Sequence, residues 1–292
     1  MSERIYCSEV AFAEQAEPAG SAVHVDAWLL IEYPRVWRPK ALADNELAIE
    51  VNAHLDELTR QAATQGTRLR VQFIKQAGSG DRAQPQIIYC DTRPEHACYV
   101  SSRLADYSAL TEITCTQLLH GALPNASTPD ANIYLVCTNG QRDVCCARFG
   151  LPLYEQLRMT YGTRIWQTTH LGGHRFAPNL LCLPSGHVYG FVQPDAGEQV
   201  VNTHDSGHLD LARLRGLSHY EPELQAADAL LRRANQLTAR EALTVYRDED
   251  SLIRYQGNVE GVAELERIDL GTVLASCGAE PKPASTYRLI SH

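Results

Sequence analysis

Two stretches of this 292-residue chain hold residue types that could do chemistry together: Cys137-Thr-Asn-Gly-Gln-Arg-Asp-Val-Cys-Cys146 and His170-Leu-Gly-Gly-His174. Thiolate and imidazole are both metal donors, and the mixture suits zinc or iron in a cluster. Asn139-Gly140 turns the chain after Cys137. Asp143 can cap a helix beginning near Val144, so Cys145 and Cys146 arrive at a helix start. The N–H groups there favour the thiolate, the form that binds metal. Arg142 adds positive charge beside the sulfurs. A His-x-x-x-His pair on a helix would put both rings on one face. Here Gly172-Gly173 and Pro178 argue for a loop instead, whose glycines let both rings turn to one centre. Three cysteines within ten residues outweigh a packing role, which is the better reading of the scattered Cys7, Cys90, Cys98, Cys115, Cys182 and Cys277. His187, His204, His208 and His219 show no partner pattern and read as structural.

The elements that must position these residues follow from periodicity. Residues 1–26 have no clear period and read as an arm. Trp28-Leu-Leu-Ile-Glu-Tyr33 is a continuous apolar run stopped by Pro34, as in a buried strand. A helix capped by Asp44 or Asn45 puts Leu47, Val51, Leu55, Leu58 and Ala62 on one face and stops at Gly66. Strands follow at Leu69–Ile74, Gln86–Cys90 and Ala97–Ser101, then a weaker helix within 110–121. Pro124–Asp130 is a linker by composition. The second half repeats the order. Ile133–Val136 is a strand ending at Cys137, and a helix follows that Gly150 and Pro152 bend or restart. Ile165–Thr169 leads into His170. Asn179–Leu183 and His187–Val192 form a hairpin around Pro184-Ser-Gly186, and a helix runs through about Pro222–Gln236. Strand, helix, strand, strand, strand, helix in each half predicts an α/β protein of two thioredoxin-like domains in tandem. The expected boundaries are 1–123 for a domain without ligands, 131–238 for the domain with the site, and 239–292 for a β-rich extension of short, unplaced strands.

Composition excludes several classes. At 44 % hydrophobic and 21 % charged the chain is ordinary globular material. A net charge of −9 without a long basic run argues against nucleic acid as a partner. The start, Met-Ser-Glu-Arg-Ile-Tyr-Cys, lacks the pattern of a leader, and the longest apolar runs are too short to span a bilayer. Nine cysteines without an export signal argue for ligands rather than a disulfide framework. The expectation is a cytoplasmic protein with no membrane partner.

The first motif through Ala147, with Trp166-Gln-Thr-Thr-His-Leu-Gly-Gly-His-Arg-Phe-Ala-Pro-Asn179, resembles the sucrase/ferredoxin-like family, the thioredoxin-like ferredoxins. Trp28-Leu-Leu-Ile-Glu-Tyr-Pro34 and Leu214-Arg-Gly-Leu-Ser218 share the resemblance, which covers most of residues 7–235. It implies a [2Fe–2S] cluster held by Cys137, Cys146, His170 and His174. Arg142 and Arg175 then stand in the surrounding shell, and Cys145 is a spare thiol or an alternative ligand. Asn139 stands where the family often has His, at a position that is not a ligand. The implied function is one-electron transfer, not enzymatic catalysis, with a midpoint that falls as pH rises because imidazole can hold a proton. The implied partner is a redox protein of the flavoprotein reductase or oxidase class. Two rival functions draw on these stretches: a Cys2His2 zinc protein at the same four residues, and a thiol–disulfide oxidoreductase using Cys137 or the vicinal Cys145-Cys146, which the lack of any Cys-x-x-Cys disfavours.

Overall fold

The computed structural model describes residues 5–82 and 84–292. The stretch expected as an arm contains a helix, α1 (Cys7–Ala13), with Cys7, Ser8 and Ala11 buried. The first four residues of that arm, read above for a leader, lie outside the described residues. The first half continues as β1 (Ala27–Glu32), α2 (Ile49–Thr64), β2 (Leu69–Lys75), β3 (Gln86–Asp91), β4 (Cys98–Arg103) and α3 (Cys115–Leu119). The second half is β5 (Ile133–Cys137), α4 (Val144–Tyr161), β6 (Ile165–Thr168), β7 (Leu180–Leu183), β8 (His187–Tyr189), α5 (Pro194–Asp205), β9 (Leu214–Leu217) and α6 (Pro222–Ala234). The tail forms β10 (Leu243–Arg247), β11 (Ile253–Gly257), β12 (Gly261–Val273) and β13 (Lys282–Ser291).

Several expected boundaries move, each for a local reason. α2 starts at Ile49 rather than at Asp44 or Asn45; the Asn45 side chain instead accepts the Leu47 N–H at 2.9 Å. α4 runs unbroken through Pro152, and residues on both sides of that proline, Cys145, Cys146 and Gly150 before it and Leu153, Tyr154 and Leu157 after it, are buried. α5 went unread because its buried face is made of small and polar residues, Ala196, Gly197 and His204 beside Val200 and Val201. The short, Gly-containing strand β9 escaped for a similar reason.

β1 to β9 form one sheet in the order β4-β3-β1-β2-β6-β5-β7-β8-β9. In each half the first two strands are parallel, and the third lies antiparallel to the first on its other side. The halves join where β2 meets β6 antiparallel, through Ile74↔Thr168 and Lys75↔Gln167. Strand alternation then sorts the side chains into layers. Leu29, Ile31, Phe73 and Tyr89 pack outward on Val51, Leu55 and Leu58 of α2. Tyr134, Val136, Ile165 and Leu180 pack outward on α4 and α5. The opposite faces curl onto each other, so that Trp28, Leu30, Ile74 and Ile88 share one core with Leu135, Cys137, Trp166, Leu181 and Leu183. The sulfur of Cys137 therefore enters the layer between the halves. The tail forms a separate four-stranded sheet, β10-β11-β12-β13, which packs Leu243, Val245, Ile253 and Tyr255 on Ala227 and Leu231 of α6.

His187 and His204 are both buried in the second half, with ring centroids 5.4 Å apart. His204 bonds to the Ser185 hydroxyl at 2.9 Å and the Tyr189 hydroxyl at 3.2 Å, while both ring nitrogens of His187 are buried without a partner. Burial pushes His204 down to about 3 and His187 well below its ordinary value. In the unfolded chain both rings titrate near 6.5. The native state therefore binds fewer protons than the unfolded state in this window. Its stability is complete above about pH 6.5 and falls as pH drops toward 3. Urea unfolding should show a loss of a few kcal/mol between about pH 7 and pH 4, and His187→Leu should flatten that slope. An unchanged slope in the variant would show that the buried ring does not carry the acid sensitivity.

Candidate metal centre

Three segments, the end of β5, the first turn of α4 and the His170–His174 loop, converge at the end of the inner layer. β5 delivers Cys137, whose N–H is bonded to Asn179 O at 3.1 Å. α4 then crosses the strand end so closely that a Cβ on Gly150 would lie 2.2 Å from Cys137 O. Asp143 caps α4 by accepting the Cys145 N–H at 2.9 Å, worth about 1 kcal/mol by the usual scale of such caps. That cap fixes the first turn and aims the two neighbouring thiols apart. Cys146 turns into the inner core beside Cys137, and Cys145 turns toward Cys7 and Ala177.

The structure brings the donor atoms of Cys137, Cys146 and His170 within 4.8 Å of one another, with Cys146 Sγ 3.9 Å from His170 Nδ1. His174 stands at the edge of this group, its ring centroid 4.7 Å from that of His170. Its Nε2 faces Asp143 Oδ2 at 3.7 Å, and its Nδ1 is buried without a hydrogen-bond partner. Burial, with His170 alongside, lowers the His174 pKa and keeps the ring neutral. Hydrogen bonds from Cys146 and His170 pull the Cys137 thiol well below its ordinary value against the cost of burial, and the same sulfur–sulfur contact with burial pushes Cys146 up. Two sulfurs, a near imidazole and a second imidazole with an orphaned nitrogen form a donor set that a thiol- and histidine-bound metal group fits.

The loop carrying the histidines is held by residues the motifs did not single out. Arg70 Nη2 donates to His170 O at 2.5 Å, and Gln72 Nε2 donates to Thr169 O at 2.7 Å. The fully buried Arg215 donates through Nη1 to Gly172 O at 3.1 Å and to Asn179 Oδ1 at 2.8 Å. Asn179 Nδ2 in turn donates to Gly173 O at 3.0 Å. Burial pushes Arg215 down to about 9, with the Arg175 charge adding to the fall and Cys137 and Cys146 partly offsetting it. The signal for Arg215 was its place in Leu214–Ser218; nothing in the spacing marked Arg70. Arg142 is exposed on the rim. Arg175 lies over the Phe176 ring, 4.6 Å from its centroid. Cys145 belongs to a different group, with Cys7, Cys277 and Asp143. Cys7 and Cys277 are thus corrected from isolated packing residues. Cys90, Cys115 and Cys182 remain buried core thiols, and Cys98 is half-buried. Beside His170 a cleft of 340 Å³ opens to solvent, with Lys40, Arg70 and Arg142 on its walls.

The fold and this site define an α/β protein with a buried thiol–imidazole centre at the end of a strand. The chain belongs to the sucrase/ferredoxin-like family, which residues 18–216 match, about two thirds of its length. No curated protein and no solved structure matches it. None of its helices is long and apolar enough to cross a membrane, among the described residues.

Gly173 sits at φ +66, and a Cβ there would lie 2.2 Å from Arg215 Nη2. Gly172 sits at φ +92, but the nearest atom to its Cβ would be 3.8 Å away. Both replacements by Ala strain the backbone; only Gly173→Ala must also displace the guanidinium. Gly173→Ala should lower stability by about 1–3 kcal/mol more than Gly172→Ala. Equal losses in denaturant unfolding would mean that Arg215 is not what confines this turn.

Proposed function

We propose that the protein is a one-electron carrier holding a [2Fe–2S] cluster through Cys137, Cys146, His170 and His174. The observation that carries this reading is the convergence of two thiols and an imidazole, with a second, neutral imidazole whose buried Nδ1 lacks a partner. Four donors on a single zinc at ordinary bond lengths would all lie within about 4 Å of one another. His174 standing outside the close group suits a centre of two metal atoms better. When bound, such a cluster supplies reversible one-electron chemistry, and neutral imidazoles raise its potential above that of an all-thiolate centre.

The chain's own residues supply the rest. Cys137 provides thiolate charge inside a dry layer. Arg215, fully buried and bonded to Gly172 O and Asn179 Oδ1, holds a fixed cation at the histidine loop that would offset negative charge gathered at the centre. Arg70 and Gln72 clamp the carbonyls at Thr169 and His170, which keeps the His170 ring at its station. The cleft beside His170 leaves that ring half-buried, and so gives an exchange partner access to one edge of the centre. Its walls carry Lys40, Arg70 and Arg142 on a chain of net charge −9, so a redox protein with an acidic face, of the flavoprotein reductase or oxidase class, suits it. We read the two halves of the sheet as thioredoxin-like repeats with bounds near 1–123 and 131–238, followed by an extension over 239–292. The shared strand order and sense of the two halves support that division.

Anaerobically purified protein should be brown-red, hold two irons and two sulfides per chain, and give an EPR signal on one-electron reduction. Cys137→Ser, Cys146→Ser, His170→Ala and His174→Ala should each bleach or shift the spectrum, and Cys182→Ser should not. The midpoint should fall as pH rises through the imidazole range. Colourless protein with zinc at these four residues would replace this reading with the zinc one. Iron-free protein that reduces disulfides through Cys137 would replace it with the thiol enzyme.

A further inference from the structure

Three thiols outside the Cys137–His170 centre stand at the corners of a small triangle. Cys7 Sγ lies 3.6 Å from Cys145 Sγ and 3.6 Å from Cys277 Sγ, and Cys145 Sγ lies 3.2 Å from Cys277 Sγ. Asp143 Oδ1 is 3.9 Å from Cys7 Sγ, and all four donor atoms lie within 4.8 Å of one another. The residues come from three distant parts of the chain: α1, the first turn of α4, and the connection between β12 and β13. Cys7 and Cys145 are fully buried and Cys277 is half-buried.

The dimensions select the ligand. Sulfurs bound to one tetrahedral zinc at about 2.3 Å lie about 3.8 Å apart. The two longer edges of the triangle come within a few tenths of an ångström of that, and the third is shorter. A polynuclear iron–sulfur cluster would spread its thiolates over several irons. A disulfide would use two of the sulfurs and leave the third unpaired beside them. The carboxylate is also fixed in place. Asp143 Oδ1 accepts the Cys145 N–H at 2.9 Å, and Oδ2 accepts the Ser276 hydroxyl at 2.9 Å and the Cys277 N–H at 2.8 Å.

We propose that Cys7, Cys145 and Cys277, with Asp143 Oδ1 as fourth ligand, form a second metal site that takes one zinc ion. Binding turns three thiols into zinc-bound thiolates and releases three protons to solvent, with no change of oxidation state. Closed by four protein ligands, the site leaves no position for a substrate and acts as a staple. It ties α1 and the β12–β13 connection to the turn of α4 that also carries Cys146. Zinc occupancy thereby restrains one thiol of the neighbouring centre.

The full chain, purified without chelator, should carry one zinc that resists dialysis. Zinc-edge X-ray absorption should show three sulfurs and one oxygen around it. Cys7→Ser and Cys277→Ser should each lower zinc below one fifth of the wild-type content, while Cys137→Ser leaves it unchanged. Far-ultraviolet circular dichroism shows that a variant is folded; should Cys7→Ser fail that check, the half-buried Cys277→Ser decides alone. Three results would overturn the proposal: no zinc bound by anaerobic protein after addition of zinc alone, zinc unchanged in the folded Cys277→Ser variant, or a two-hydrogen mass loss from a Cys145–Cys277 disulfide in anaerobic protein. The outcome is independent of what fills the other centre. Zinc at this site with no iron elsewhere would remove the electron-carrier reading and leave this one standing.

Discussion

One carboxylate stands between the two thiol groups, and both depend on it. Asp143 caps α4, accepts hydrogen bonds from Ser276 and Cys277, faces His174 with one oxygen and Cys7 with the other. Burial opposes its charge, yet the N–H donors of Cys145 and Cys277 hold its pKa below the usual carboxylate range. A buried charge is tolerable only where it is satisfied in this way. The same cap sets the rotation of the first turn, which sends Cys145 to one side of the helix and Cys146 to the other. Vicinal cysteines thus face two separate groups of donor side chains.

The second constraint is the curl of the sheet. A flat nine-stranded sheet would leave both inner faces in water. Here the faces of the two halves bury each other, and the layer between them shuts water away from Cys137 and Cys146. Charge placed in that layer needs compensation, and Arg215 supplies it from complete burial, anchored on Gly172, Asn179 and Ser21. Gly173 follows from Arg215: the guanidinium occupies the space that a side chain there would need. Loop flexibility in the sequence and loop confinement in the structure are two views of one packing demand.

Much of this was legible in advance, for physical reasons. Continuous apolar runs such as Trp28–Ile31 and Ile133–Val136 marked central strands because strands buried on both faces need no polar side. The Asp143 cap was legible because capping is local, and Cys137, Cys146 and His170 stood out because thiol and imidazole donors are concentrated in two short motifs. The elements that stayed hidden lack such local signals. α1 has a buried face of only Cys7, Ser8 and Ala11, and α5 hides its apolar stripe behind small residues. Cys7 and Cys277 read as isolated because each meets Cys145 more than a hundred residues away in the chain, 138 and 132 residues respectively. No period or spacing encodes such a meeting.

The sequence by itself marked Cys137, Cys146 and His170 as candidate ligands, showed which strands are central, and carried the family to which residues 18–216 belong. Those depend on residue type and short-range pattern, which the chain carries wherever it folds. Tertiary structure alone decided that the two halves share one sheet, that Arg215 lies buried against the histidine loop, and that Cys145 faces Cys7 and Cys277 instead of Cys137. Each of these depends on how the sheet curls and where the β12–β13 connection returns, and long-range packing sets both.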